Sequence, residues 1–278
     1  VSINVGSALA GLAIPIVGTV IVVFVRQLVT AAVTVPLARP RVRQLGLRAL
    51  LPAIALGVVL AAMNLTFYES VHRLGLGMAA SIEFLGPLAL AIASSRRLID
   101  VGFATAAGVG VFLLIGGGDG APNGAPVDPL GVGFALTAAA SWAAYIVLTR
   151  TVATRFAGLE GLAVASMVAL ALLAPFAVVA LWSQDFSAFS FPVAGLLLAG
   201  GILSSAIPYS LDTFILRRIS ARIYSIITST GPVMAAALGW LLLAETFTAL
   251  QIGAIALVSL TAAATVATQG ERPPRVPT

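Results

Sequence analysis

Four ionisable side chains stand inside long apolar runs of this sequence: Arg26, Glu69, Glu83 and Asp212. An ionised group in hydrocarbon costs roughly 2.5–3.5 kcal/mol on insertion scales, so each must pair, reach an interface or line a polar path. Glu83 stands between Ser81 and the pair Gly86-Pro87. A proline removes one helix hydrogen bond and frees a carbonyl, which suits the edge of a polar cavity and not a lipid contact. A carboxylate there can hold an ammonium group or take up and release a proton; the competing reading is a salt bridge to Arg26. Arg26 is alone in its run and offers the forked donor geometry that suits a carboxylate. Asp212 follows Pro208-Tyr209-Ser210 and reads either as a site carboxylate or as the partner of Arg217 or Arg218. Glu69, beside His72 and Arg73, reads as an ion-paired residue at a helix end, its head directed to the headgroups.

Polar and aromatic residues recur at helical spacing around these groups. Asn64 and Tyr68 are four apart and Trp142 and Tyr145 three apart, so each pair shares a helix face. Such pairs serve helix packing and interface belts, and also cavities; Asn64 and Trp142 fall at mid-membrane depth. Ser204-Ser205, Thr228 and Ser229 can hydrogen-bond across helices or to a substrate.

Other chemistries are poorly served. There is no Cys and a single His, His72, so no disulfide, thiolate, haem or zinc cluster is expected. Gly116-Gly117-Gly118 is not followed by Lys-Ser/Thr, so no phosphate loop is present and transport energy would come from a gradient. The sequence therefore predicts no enzyme, no cofactor and no metal.

The elements that position these residues follow from composition. Of 278 residues 60% are hydrophobic and 9% charged, with mean hydropathy +1.08, against about a quarter charged in soluble domains. A membrane-spanning helix needs about 20 apolar residues. The predicted class is all-α, a polytopic membrane protein of ten helices, at about Ser2–Ile16, Thr19–Ala38, Ala49–Val71, Leu76–Ser94, Val101–Gly116, Leu130–Thr149, Gly161–Trp182, Phe191–Leu216, Ile223–Leu243 and Thr248–Thr268. The first is short and begins at Val1, and is expected to be a helix lacking its N-terminal half.

All 15 basic residues are Arg. Thirteen fall on alternate connections and the C-terminal tail: Arg39, Arg41, Arg43, Arg48, Arg96, Arg97, Arg150, Arg155, Arg217, Arg218, Arg222, Arg272 and Arg275. The opposite connections hold Arg73 with Asp119, Asp128, Asp185 and Glu245. By the positive-inside rule both termini are expected on the cytoplasmic side of a bacterial inner membrane. This distribution accounts for the pI near 10.7 by membrane orientation, with no nucleic-acid partner.

The two halves also repeat. Arg73 precedes Gly86-Pro87 by thirteen residues as Arg218 precedes Gly231-Pro232, an offset of 145 that Ala91 and Ala236 keep. Five helices separate equivalents, so the halves, 1–118 and 130–268, with a tail at 269–278, are expected to be inverted, the architecture of many secondary transporters.

Gly231-Pro232-Val233-Met234 through Trp240-Leu241-Leu242-Leu243-Ala244-Glu245-Thr246, then Gln251-Ile252-Gly253-Ala254, resembles the end of an EamA-type repeat of the drug/metabolite transporter superfamily. Ser81-Ile82-Glu83-Phe84-Leu85-Gly86-Pro87, Ser94-Ser95-Arg96-Arg97, Ser141-Trp142-Ala143-Ala144-Tyr145 and Ile207-Pro208-Tyr209-Ser210-Leu211-Asp212 resemble its threonine/homoserine exporter branch. The resemblance implies two inverted five-helix repeats around a central cavity and export of a small amino acid or related metabolite by alternating access, with proton coupling. It implies that Glu83, Trp142, Tyr145, Tyr209 and Asp212 line the cavity or couple transport, with Asn64 and Tyr68 beside them. Two departures stand out: Gly231 where members often carry Glu, and Ala244 in place of the Gly of a Gly-Glu pair. The alternatives are efflux of hydrophobic cations or drugs, with Trp142 and Tyr145 stacking on the cation, and a non-transporting membrane scaffold.

Overall fold

The computed structural model describes residues 2–40, 46–93, 98–116, 120–183, 187–219, 224 and 228–268. Arg41, Arg43, Arg96, Arg97, Arg222, Arg272, Arg275, Asp119 and Asp185 of the topology argument, and the tail at 269–278, lie outside the described residues. Among the described residues every regular element is helical: α1 (Ser2–Ala38), α2 (Leu47–Leu74), α3 (Leu76–Glu83), α4 (Leu85–Ala93), α5 (Leu98–Gly116), α6 (Pro129–Arg155), α7 (Glu160–Ser183), α8 (Phe191–Gly201), α9 (Ile207–Arg218), α10 (Gly231–Leu243) and α11 (Ala249–Thr268). Among the described residues six stretches are long and apolar enough to cross a bilayer: Ser2–Ala38, Leu47–Leu74, Leu76–Ala93, Pro129–Arg155, Glu160–Ser183 and Phe191–Arg218. Shorter apolar helices run over Val101–Gly116, Gly231–Leu243 and Ala249–Thr265. The chain is a multi-pass helical membrane protein.

The predicted first and second helices are one helical run in α1, broken at Gly18 (φ 74°, ψ 160°), a conformation open to glycine because it has no Cβ. Along a straight helix Ser2 and Arg26 would stand about 36 Å apart. Instead Ser2 Oγ donates to the Leu203 carbonyl at 2.5 Å and Arg26 Nη2 to the Ser204 carbonyl at 3.0 Å, on adjacent residues. The run therefore folds back at Gly18 into two arms that flank the same segment. Gly75, with nearly the same backbone angles (φ 80°, ψ 163°), makes the corresponding break between α2 and α3.

Two predicted single helices are interrupted. Leu76–Ala93 breaks at Phe84, just after Glu83, and Phe191–Arg218 carries a π-helical turn at Ile202–Ala206. Both breaks fall beside the residues with candidate chemistry. The Gly-, Pro- and Asn-rich connection before α6 is folded back onto the protein where it is described: Pro122–Gly124 forms a 3₁₀ turn and Asn123 Oδ1 accepts from the Thr246 backbone N–H and hydroxyl, both at 2.8 Å.

The core is a continuous cluster between α1, α2, α6 and α7, including Val17, Val22, Leu56, Leu60, Tyr68, Tyr145, Leu162 and Ala165. Small residues let backbones meet there: a Cβ on Gly57 would stand 2.5 Å from the Ala165 carbonyl oxygen. Close approach through small residues is how helices associate in lipid, where hydrophobicity alone gives no drive. The outer surface carries large apolar side chains such as Phe112, Val179, Trp182 (88% exposed) and Phe191 (94%), which face hydrocarbon or its border in a bilayer.

Candidate functional site

The π turn and the proline after it form one side of the site. In an α-helix the N–H of residue 208 would bond to the carbonyl of Ser204, but Pro208 has none, and Arg26 Nη2 fills that carbonyl at 3.0 Å. Arg26 Nε donates to Ser205 Oγ at 2.8 Å, and the guanidinium carbon lies 4.5 Å above the centre of the Tyr68 ring. With three donors remaining of its five, Arg26 is clamped on one edge and one face, is 3% exposed, and lines a cavity of about 220 Å³.

Glu83, at the break between α3 and α4, lines the same cavity and makes no ion pair or hydrogen bond among the described residues. The expected alternative, a direct Arg26–Glu83 salt bridge, is not formed: the ion pairs among the described residues are Arg73 with Glu69 at 3.6 Å and with Asp128 at 2.7 Å. Two of the five Arg26 donors are held by Ser204 and Ser205 at the π turn, and Glu83 is not bonded to the others.

Asp212 is placed differently from either expectation of an arginine partner. Arg217 donates to the Phe156 and Gly158 carbonyls at 3.0 and 3.3 Å. Asp212 Oδ2 instead accepts from Tyr145 OH at 2.9 Å and Tyr224 OH at 2.8 Å. Asp212 sits two turns before the end of α9, so it points across the bundle to α6 while Arg217 turns to the α6–α7 connection. Trp142 lines the cavity together with Tyr224 and stands edge-on to Phe84, with ring centres 5.9 Å apart. The Tyr145 and Tyr209 rings lie 5.5 Å apart, and Tyr209 OH donates to Asn64 Oδ1 at 3.0 Å. A linked set of side chains thus runs from α6 through α9 to α2.

Of the residues singled out from sequence, Arg26, Asn64, Glu83, Trp142, Tyr145, Tyr209 and Asp212 line one cavity. Tyr68 does not; it is fully buried behind Arg26 and acts as its support. Sequence reasoning missed Tyr224, Asn4 and Ser7, which also line it. Tyr224 stands four residues before Thr228, a helical spacing that could have marked it, and Asn4 and Ser7 stood in a segment read only as a partial helix.

Two polar clusters lie outside the cavity. Arg73 bridges Glu69 and Asp128, Thr19 hydroxyl donates to Glu69, and Asp128 caps α6 by accepting from the Leu130 N–H at 2.9 Å. The hydrogen bond from Arg73 holds the Asp128 carboxyl below its usual range. Glu245, expected as a loop charge, is buried, and its carboxylate accepts from the N–H groups of Leu76 (2.5 Å) and Gly77 (3.2 Å). It occupies the start of α3, where unpaired N–H groups and the helix dipole favour an anion. Burial pushes its carboxyl up against the pull of those two N–H groups.

Comparison with known proteins adds a lineage to this geometry. The EamA-like transporter family matches residues 129–267. The threonine/homoserine exporter RhtA of Salmonella typhimurium (strain LT2) is 34% identical over 261 residues, covering 92% of this chain and 85% of that protein. RhtA of Escherichia coli (strain K12) is 33% identical over 272 residues, covering 95% and 88%. A protein of solved crystal structure shares the fold with TM-score 0.67 at 19% identity, over 96% of this chain and 92% of that one.

Proposed function

The chain belongs to the EamA-like transporter family, and on that premise we propose that it exports a small zwitterion of the threonine or homoserine kind from a bacterial cytoplasm. The observation that carries this reading is a small cavity with a clamped cation, Arg26, and an unpaired carboxylate, Glu83, in its wall. The carboxylate of an amino acid takes the free donors of Arg26, its ammonium group takes Glu83, and Ser7 and Asn64 serve a side-chain hydroxyl. A volume of about 220 Å³ is below the roughly 300–1,000 Å³ of drug-sized pockets, and Arg26 repels a cation. Both features favour an amino acid over a hydrophobic cation.

The working cycle is alternating access between two inverted five-helix repeats, ten spans in all, with both chain ends cytoplasmic. Asp212, held by two tyrosine hydroxyls, or Glu83 itself carries the coupling proton. The test is efflux from proteoliposomes loaded with threonine, homoserine or an aromatic amino acid, with and without a pH gradient. Glu83→Gln and Arg26→Met are each expected to lower threonine efflux at least tenfold. Wild-type efflux and coupling in Glu83→Gln overturns the role given to Glu83. Dye export without amino-acid export overturns the substrate class.

A further inference from the structure

The offset of 145 residues first seen in Arg73, Gly86-Pro87 and Ala91 also relates helix ends. Adding 145 carries the end of α1 from 38 to 183, the last residue of α7. It carries the ends of α2 from 47 and 74 to 192 and 219, one residue from Phe191 and Arg218. It carries the start of α4 from 85 to 230, one residue from the start of α10.

In a two-fold arrangement, if residue i touches j, the mate of i touches the mate of j. When inverted repeats exchange conformations between two transport states, each contact between repeats is replaced by its mate contact. A contact between a residue and its own mate maps onto itself and survives the exchange. Asn64 and Tyr209 are such a pair: they are 145 apart and hydrogen-bonded at 3.0 Å. A second mate pair brackets the place where α5 crosses α11. The mate of Gly110 is Ile255, and a Cβ on Gly110 would stand 3.1 Å from the Ala254 carbonyl oxygen and 2.9 Å from Val258 Cγ2, on either side of that mate.

We infer that the pseudo-two-fold axis passes through the Asn64–Tyr209 hydrogen bond and the Gly110 crossing of α5 with α11, and that these contacts are the fixed pivot about which the repeats exchange. The inference rests on the alternating-access reading above. It makes Asn64 and Tyr209 positioning residues at the cavity wall, while contacts such as Arg26 with Ser205 belong to one state and are broken in the other.

The chain has no cysteine, so paired cysteines can be spin-labelled directly. Gly108 and Gly253 are mates (108 + 145 = 253), and each is exposed with open space around its Cα. The pairs Leu37–Arg217 and Trp182–His72 map onto each other (37 + 145 = 182, 72 + 145 = 217), and all four residues are exposed. Distances are measured by pulsed electron resonance in lipid nanodiscs with and without saturating L-threonine, at acidic and neutral pH, on variants that retain efflux. The expected result is one constant 108–253 distance while the 37–217 and 72–182 distances shift in opposite directions and trade values. A 108–253 distance that moves with the other two overturns the pivot and leaves alternating access standing. Constancy of all three distances in a variant that transports overturns alternating access and the pivot with it.

Discussion

Replacing Asp212 by alanine tests the most specific arrangement in the site. Asp212 Oδ2 is the acceptor for Tyr145 OH and Tyr224 OH, and these tyrosines are 1% and 6% exposed. A buried donor left without a partner costs about 1–3 kcal/mol, so two such hydroxyls cost about 2–6 kcal/mol. At roughly 2–4 °C per kcal/mol for chains of this size class, thermal unfolding in detergent is expected to fall by about 5–20 °C. Asp212→Asn keeps an acceptor and loses the charge; bonds to charged groups exceed neutral ones by about 1 kcal/mol each, so its expected loss is about 2 kcal/mol. Tyr145→Phe is expected to cost little in the Asp212→Ala background, because its hydroxyl has already lost its partner. The double-mutant coupling energy is therefore about 1–3 kcal/mol for Asp212 with Tyr145, and within about 0.5 kcal/mol of zero for Asp212 with Arg217→Met. Wild-type melting of Asp212→Ala, or coupling to Arg217 in place of Tyr145, refutes the placement of this carboxylate.

Gly57→Ala forces a methyl to 2.5 Å from the Ala165 carbonyl oxygen; a loss of about 1–3 kcal/mol is expected, while Gly133→Ala, with open space around it, is neutral or gains up to about 1 kcal/mol from helix propensity. Melting curves of the two variants check this difference. Ala244 closes α10 with left-handed backbone angles (φ 53°, ψ 31°), which costs a non-glycine residue about 1–2 kcal/mol; after the entropy of glycine is set against it, Ala244→Gly is expected to stabilise by roughly 0.5–1 kcal/mol in the same assay. The Arg73–Asp128 tie gains from a carboxyl held below its usual range, so it is fully present above the ordinary Asp value near 3.9 and is lost as pH falls through the lowered one. Carbon-13 titration of Asp128 is expected to give a midpoint below the ordinary value that rises toward it in Arg73→Gln, the Leu130 N–H keeping part of the lowering; an unchanged midpoint refutes the tie.

The membrane class and the helices were legible because they depend on composition along the chain: a run of about 20 apolar residues must form a helix in lipid whatever its neighbours are. Glu83 and Arg26 stood out for the same local reason, since charge is costly there. The resemblance carried by motifs such as Ile207-Pro208-Tyr209 also needed no coordinates. Partner choice is different, because it depends on which faces of distant helices meet. Arg26 and Glu83 were an equally reasonable pair by charge, and only the π turn before Pro208, with its unfilled Ser204 carbonyl, decided that Arg26 is held by Ser204 and Ser205. Likewise Asp212 had two arginines nearby in sequence, yet its place on α9 turns it to Tyr145 and Tyr224. Glu245 read as a solvated loop charge until the fold brought the start of α3 against it. Composition along the chain marks which stretches must be helical and which charges need a reason; the packing of the helices sets where they break, which of those charges are paired and which faces the cavity, because hydrogen-bond partners depend on the angle and depth at which helices cross.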